Sequence, residues 1–199
     1  MAHYDFILNH GTSLIFNEIT QLMESHQVSL GLKDGKIASL TVQPNDTAEQ
    51  TLNLKGLHIL PGVIDSQVHF REPGMTHKED LESGTRSALL GGVTTIFEMP
   101  NTIPSTTTKE LFLDKLQRAE NRAHCNYAFF IGGSSENINQ LAELEKMNHC
   151  SGVKVFLGSS FGNLLVDDES IFDQILQHGS RRVIIHSEDE ARLKQRKQI

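Results

Sequence analysis

Ile59-Leu-Pro-Gly-Val-Ile-Asp-Ser-Gln-Val-His-Phe-Arg-Glu-Pro-Gly74 is the stretch whose reading decides the fold of this chain. Val63 to Val68 is apolar and β-branched enough for an inner strand, Pro61-Gly62 punctuates its start, and Glu72-Pro73-Gly74 turns the chain at its end. Its polar residues are thereby held at a strand tip. Side chains alternate along a strand, so Asp65, Gln67, His69 and, if the strand persists, Arg71 are expected on one face, with Ser66, Val68 and Phe70 on the other. A face that carries an imidazole and a guanidinium suits a metal and an anionic substrate.

Downstream, strand and helix patterns alternate. Leu81, Ala88 and Leu89 mark a helix that stops at Gly91-Gly92, and Val93-Thr-Thr-Ile-Phe97 reads as a second strand. Thr107 with Glu110 three residues on predicts a capping box before Leu111, Phe112, Leu116 and Ala119. Tyr127 to Ile131 is a third strand, Ser135 is placed to cap a third helix bearing Ile138, Leu141 and Ala142, and Gly152 to Leu157 is a fourth strand carrying Lys154. Asp168 predicts the start of a further helix and Gly179 its end. Arg182 to His186 is the fifth strand, followed by an acidic helix start and a basic helix running to the last residue.

Strands and helices that alternate in steps of roughly 30 residues indicate parallel βα units. Periodicity does not choose between an open sheet and a barrel, but the polar tips do. Gln67, His69, Asn101, Lys154 and His186 all fall at or just after strand C-terminal ends, where (β/α)8 barrels build their sites. A full barrel takes about 250 residues, more than the 199 of the whole chain. Residues 59–199 are therefore expected to form an incomplete (β/α)8 barrel of about five βα units. Residues 1–58 instead carry short alternating segments with a hairpin signal at Lys33-Asp-Gly-Lys36, which predicts a small β-sandwich segment and an α/β fold class for the whole.

Composition narrows the function. With 18 basic against 25 acidic side chains the net charge is −7, which disfavours a phosphate-backbone partner. The one basic cluster, Arg192, Lys194, Arg196 and Lys197, reads as a solvated helix face. No apolar run suits a signal peptide or a membrane span, so the expectation is a cytoplasmic protein with no nucleic-acid or membrane partner. Cys125 and Cys150 do not have zinc-finger spacing and are expected reduced and buried. His58, His77, His124, His149 and His178 fall in turns or helix ends as solvated or capping residues. The Gly158-Ser-Ser-Phe-Gly162 loop lacks a Gly-Lys-Ser/Thr ending, and is expected to border the site rather than cradle phosphate.

Pro61-Gly-Val-Ile-Asp-Ser-Gln-Val-His-Phe-Arg-Glu-Pro-Gly74 resembles the first-strand signature of dihydroorotases in the amidohydrolase superfamily, and Val28 to Leu40 is similar to the N-terminal segment of that superfamily. The resemblance implies an enzyme that closes N-carbamoyl-aspartate to dihydroorotate, in pyrimidine biosynthesis. It implies two zinc ions bridged by a carboxylated lysine, with His69, Lys154 and His186 as metal ligands. Arg71 and Asn101 would bind the substrate, Arg71 through its carboxylate. The physics agrees: zinc takes imidazole and anionic oxygen, a buried lysine loses its charge readily enough to react, and a guanidinium grips a carboxylate through two parallel hydrogen bonds.

One ligand departs from the signature. Where the family has His-x-His, this chain has Gln67-Val68-His69, and a glutamine oxygen is a weak, neutral donor to zinc. The family's sixth-strand histidine and eighth-strand aspartate, ligand and general base, would lie beyond Ile199, so no catalytic base is expected within the chain. The reading is therefore a dihydroorotase-like cyclic amidohydrolase with impaired activity. The alternatives are a non-catalytic scaffold, as a homodimer or on an aspartate transcarbamoylase-like partner, or a fragment without function of its own.

Overall fold

The structure is a computed structural model that describes residues 1–160 and 162–197. It divides into two compact units, Met1–Pro61 and Gly62–Ile199. The first holds β1 (His3–Asn17), β2 (Leu22–Lys33), β3 (Lys36–Ser39), β4 (Thr47–Asn53) and β5 (His58–Ile59). They form one sheet in the order β3-β2-β1-β4, with β5 also on β1. β1 pairs antiparallel with β2 and parallel with β4 and β5, so the strands expected for the N-terminal segment assemble as one mixed sheet. The expected hairpin joins β2 to β3. Asp34 and Gly35 both take left-handed φ, which Asp-Gly tolerates, and Lys33 pairs with Lys36.

The second unit runs β6 (Val63–Val68), α1 (Leu81–Leu90), β7 (Val93–Glu98), α2 (Lys109–Ala119), β8 (Asn126–Gly132), α3 (Leu141–Leu144), β9 (Cys150–Phe156), α4 (Glu169–His178), β10 (Val183–His186) and α5 (Glu190–Arg196). Its five strands are all parallel, in the order β10-β9-β8-β7-β6, and the sheet curls as half a barrel. Alternation sorts its faces. Ile96, Phe129, Ile131, Val153 and Val155 join Phe112, Leu141 and Ile175 of the helices in a single core. Val183 of β10 packs against this core, and the residues of opposite parity, Phe97, Phe130, Lys154 and Ile184, must face the concave side. Phe97 and Phe130 meet there edge to face at 6.3 Å between centroids.

Three local expectations shift. α2 is capped by Thr108, which accepts from Leu111 N–H at 3.4 Å, because the Thr107 hydroxyl is turned to the Ser105 carbonyl. The third helix does not start at Ser135. The Asn137 side chain accepts from Ser134 N–H and donates to the Thr107 and Gly132 carbonyls, and the chain passes through a 3-10 turn, Ile138–Gln140, before the one-turn α3. In β6, Asp65 pairs with Ile96 but Val68 with Glu98, three residues against two. The resulting bulge interrupts the strict alternation expected from Asp65 to Arg71. Asp168 caps α4 and Gly179 follows its last residue, as the sequence predicts. Phe161 of the glycine-flanked loop, and Gln198 and Ile199 at the end of the expected basic helix, lie outside the described residues.

Candidate functional site

The site residues sit on the loops that leave β6 and β7 and at the ends of β9 and β10. The β6 strand ends at Val68, so His69 and Arg71 belong to the loop that follows. Arg71 has a left-handed φ of 72°, unusual for a side chain of its size. The loop is sewn to the one after β7. Met99 N–H donates to the Val68 carbonyl at 3.0 Å and Ile103 N–H to the Pro73 carbonyl at 3.1 Å, while within the first loop Met75 N–H donates to the Arg71 carbonyl at 3.0 Å. Gly74 is required in this turn: its φ is +89°, and a Cβ there would run into the Ile103 carbonyl.

His69 and Asn101 meet across that seam, Nδ1 to Oδ1, at 2.8 Å. An amide oxygen only accepts, so Nδ1 carries the proton and Nε2 presents its lone pair. Burial lowers the His69 pKa below the ordinary value, the Asn101 hydrogen bond opposes this, and the nearby charges of Arg71, Lys154 and Lys115 lower it further. Arg71 is half-buried, donates from Nη1 to the Asn101 carbonyl at 3.4 Å, and has no carboxylate in ion-pair range among the described residues. An unpaired guanidinium beside an imidazole is an anion site in waiting.

Lys154 lies between Val153 and Val155 on the opposite face of β9, 1% exposed. Its Nζ is 5.0 Å from the centroid of the Phe156 ring, and burial alone lowers its pKa. His186 pairs in register with Phe156, with the two rings 5.9 Å apart, and its Nε2 is 2.9 Å from Glu188 Oε2. Lys154 and His186 thus share the Phe156 ring, and Lys154 is near enough to His69 for its charge to be felt. Gln67, in the β6 bulge, is exposed and its side chain forms no hydrogen bond with the described residues.

Zinc is the metal the resemblance implies. Toward it these residues offer two imidazoles and a buried amine with no carboxylate beside it, the last being the state from which a lysine reacts. Among the described residues no group of three or more His, Cys, Asp or Glu side chains is placed to hold a metal ion.

Two residues with no role in the sequence reading stand directly behind the site. Glu98, the last residue of β7, and Lys115 of α2 form an ion pair at 2.6 Å with neither side chain exposed. A lysine three residues after Phe112 and four before Ala119, on the apolar stripe of its helix, is the signal that would have found it. Cys150 is buried and Cys125 half-exposed, both as free thiols.

A family model described as dihydro-orotase-like matches residues 56–162, just over half of the chain. The chain belongs to the dihydro-orotase-like family. That match takes in His69, Arg71, Asn101 and Lys154, and stops short of His186. This dihydro-orotase-like chain is 38% identical over 135 residues to an allantoinase of Deinococcus radiodurans, covering 67% of this chain and 30% of that protein. It is 36% identical over 147 residues to a dihydroorotase of Methanosarcina mazei, covering 72% and 32%. An L-hydantoinase (dihydropyrimidinase) from Arthrobacter aurescens has the same fold, with a TM-score of 0.87 and 26% identity over 98% of this chain and 43% of its own. The chain spans about a third of the length of the curated relatives it matches. No helix among the described residues is long and apolar enough to cross a membrane.

Proposed function

We propose that this chain carries a cyclic amidohydrolase site of the dihydroorotase type, for N-carbamoyl-aspartate and dihydroorotate, with turnover weakened by Gln67 at a metal-ligand position. Family membership supports the reaction class. Overall identity does not choose among the named specificities, since the allantoinase and the dihydroorotase lie within two percentage points of each other. The observation that carries the choice is Arg71: half-buried, unpaired among the described residues, and set against Asn101 next to His69. Dihydroorotate has a carboxylate for that guanidinium, whereas allantoin and simple hydantoins have none.

In this reading Arg71 fixes the carboxylate by two parallel hydrogen bonds, and Asn101 borders the same substrate while its hydrogen bond to His69 Nδ1 leaves Nε2 with a free lone pair. His69, Lys154 and His186 supply the imidazoles and amine that the resemblance assigns to zinc, and Gln67 weakens that assignment. The test is a binding panel by calorimetry with dihydroorotate, N-carbamoyl-aspartate, allantoin and hydantoin, alongside ring closure of N-carbamoyl-aspartate. The expected result is preference for the two carboxylates with little turnover. A preference for allantoin or hydantoin would overturn it.

A second reading, an interaction module, is favoured by the edges of the curled sheet. Among the described residues β6 pairs only with β7 and β10 only with β9, and Val63 and Ile64 on the β6 edge are more than half exposed. Open apolar edges pair with other strands, which fits self-association or a scaffold role beside an aspartate transcarbamoylase-like protein. Light scattering that gives a strict monomer, with no partner retained by the full chain, would count against it.

A further inference from the structure

The loop that carries Arg71 is held from behind by a charge pair which no part of the proposed chemistry uses. Glu98 Oε1 accepts from Arg71 N–H at 3.2 Å, and its Oε2 meets Lys115 Nζ at 2.6 Å. Lys115 in turn donates to the Met99 carbonyl at 3.0 Å, two residues before Asn101, and lies 5.0 Å from the Phe129 ring centroid. The pair therefore grips both loops at once, one by an N–H and the other by a C=O. If the core needed only volume here, apolar side chains would supply it without the desolvation cost of two buried charges. What the carboxylate supplies, and an apolar side chain would not, is an acceptor for the amide of a residue held at φ 72°.

We infer that Glu98 and Lys115 are positioning residues, which set the left-handed backbone of Arg71 and the height of Asn101 and so determine how well the site grips a substrate carboxylate. This rests on the reading of Arg71 given above. Neither residue touches the substrate, so the effect passes through Arg71 and Asn101 alone.

The double variant Glu98→Leu/Lys115→Met separates positioning from stability, because it removes both charges together and leaves neither buried alone. In the full chain, hydrogen exchange at the Arg71 amide and calorimetric binding of dihydroorotate are measured for wild type, the double variant and Arg71→Ala. The expected result is a folded double variant in which Arg71 amide exchange rises at least tenfold and dihydroorotate binding weakens about tenfold. A folded double variant with exchange and affinity both unchanged overturns the inference. If the double variant does not fold, Glu98→Gln, which keeps an acceptor oxygen, is compared instead: retained Arg71 protection with retained binding supports the pair's role, and lost protection with undiminished binding overturns it. Equal binding by wild type and Arg71→Ala would defeat the reading of Arg71 itself, while the exchange arm still reports whether the pair sets the loop.

Discussion

His69 Nδ1 stands 2.8 Å from Asn101 Oδ1, joining the loop after β6 to the loop after β7 by one side-chain hydrogen bond. The bond dictates a tautomer, since the oxygen has no proton to give. At neutral pH the His69 ring is expected as the neutral Nδ1–H form, observable in long-range nitrogen–proton spectra. Asn101→Ala should shift it toward the commoner Nε2–H form, and an Nε2–H ring in the wild type would refute the geometry.

The Glu98–Lys115 pair makes a stability prediction separate from its effect on binding. Burial already pushes the Glu98 carboxyl up, and removing Lys115 takes away the charge and the hydrogen-bond partner that oppose this, so Lys115→Ala should cost about 3–5 kcal/mol in urea unfolding. Most of that should return in Glu98→Leu/Lys115→Met. A single variant within about 1 kcal/mol of wild type would show that the pair is solvated in solution.

Glu145 predicts a pH dependence. Its buried carboxylate follows α3 and accepts from Ser180 N–H at 2.7 Å, the Ser180 hydroxyl at 2.9 Å and Arg181 N–H at 3.0 Å, holding the segment that leads into β10. Burial pushes this carboxyl up, and the hydrogen bonds from Ser180 and Arg181 together outweigh it, leaving its pKa below the ordinary value of 4.5. The unfolded chain therefore binds the proton more readily, so Glu145 contributes stability above pH 4.5 that is lost as the pH falls toward its folded value. Unfolding measured from pH 7 to pH 3 should show a shallower acid loss in Glu145→Gln than in wild type. At pH 7 Glu145→Ala should cost about 3 kcal/mol, because the Ser180 and Arg181 N–H groups lose a charged acceptor.

Metal content follows from the donor count. Zinc-equilibrated chain, assayed by elemental analysis, is expected to hold well under two zinc ions per chain, and Gln67→His to raise this little, because the remaining donors are two imidazoles and one lysine. Two tightly held ions per unmodified chain would mean that the donor set has been misread or is completed by a second copy.

Much of the barrel segment was legible because its signals are local. The β-branched run Val93 to Phe97 is a strand, Asp168 caps α4, and Val153-Lys154-Val155 places one lysine opposite two core valines by alternation alone. Where neighbouring residues offered the same chemistry, the sequence left the choice to packing. Thr107 and Thr108 are both competent caps, and the turn that directs the Thr107 hydroxyl to the Ser105 carbonyl decides between them. The β6 bulge was not legible, since it depends on register with β7 rather than on any residue in β6. The Glu98–Lys115 pairing was hidden for a related reason: the apolar stripe of α2 marks Lys115 as buried, but only the packing of α2 on the end of β7 shows that Glu98 is its partner. His69, Arg71, Asn101, Lys154 and His186 are singled out by their places at strand ends and by the resemblance, while the Glu98–Lys115 pair behind them comes from structure.

The most direct measurement compares dihydroorotate with dihydrouracil, the same ring without the carboxylate, by calorimetry on wild type and Arg71→Ala. A carboxylate held by a guanidinium contributes roughly 1.5–3 kcal/mol, so wild type should prefer dihydroorotate by about 10- to 100-fold, and Arg71→Ala should lose most of that preference. Equal affinity for the two rings, or a preference that survives Arg71→Ala, would contradict the assignment of this site to a dihydroorotate-like substrate.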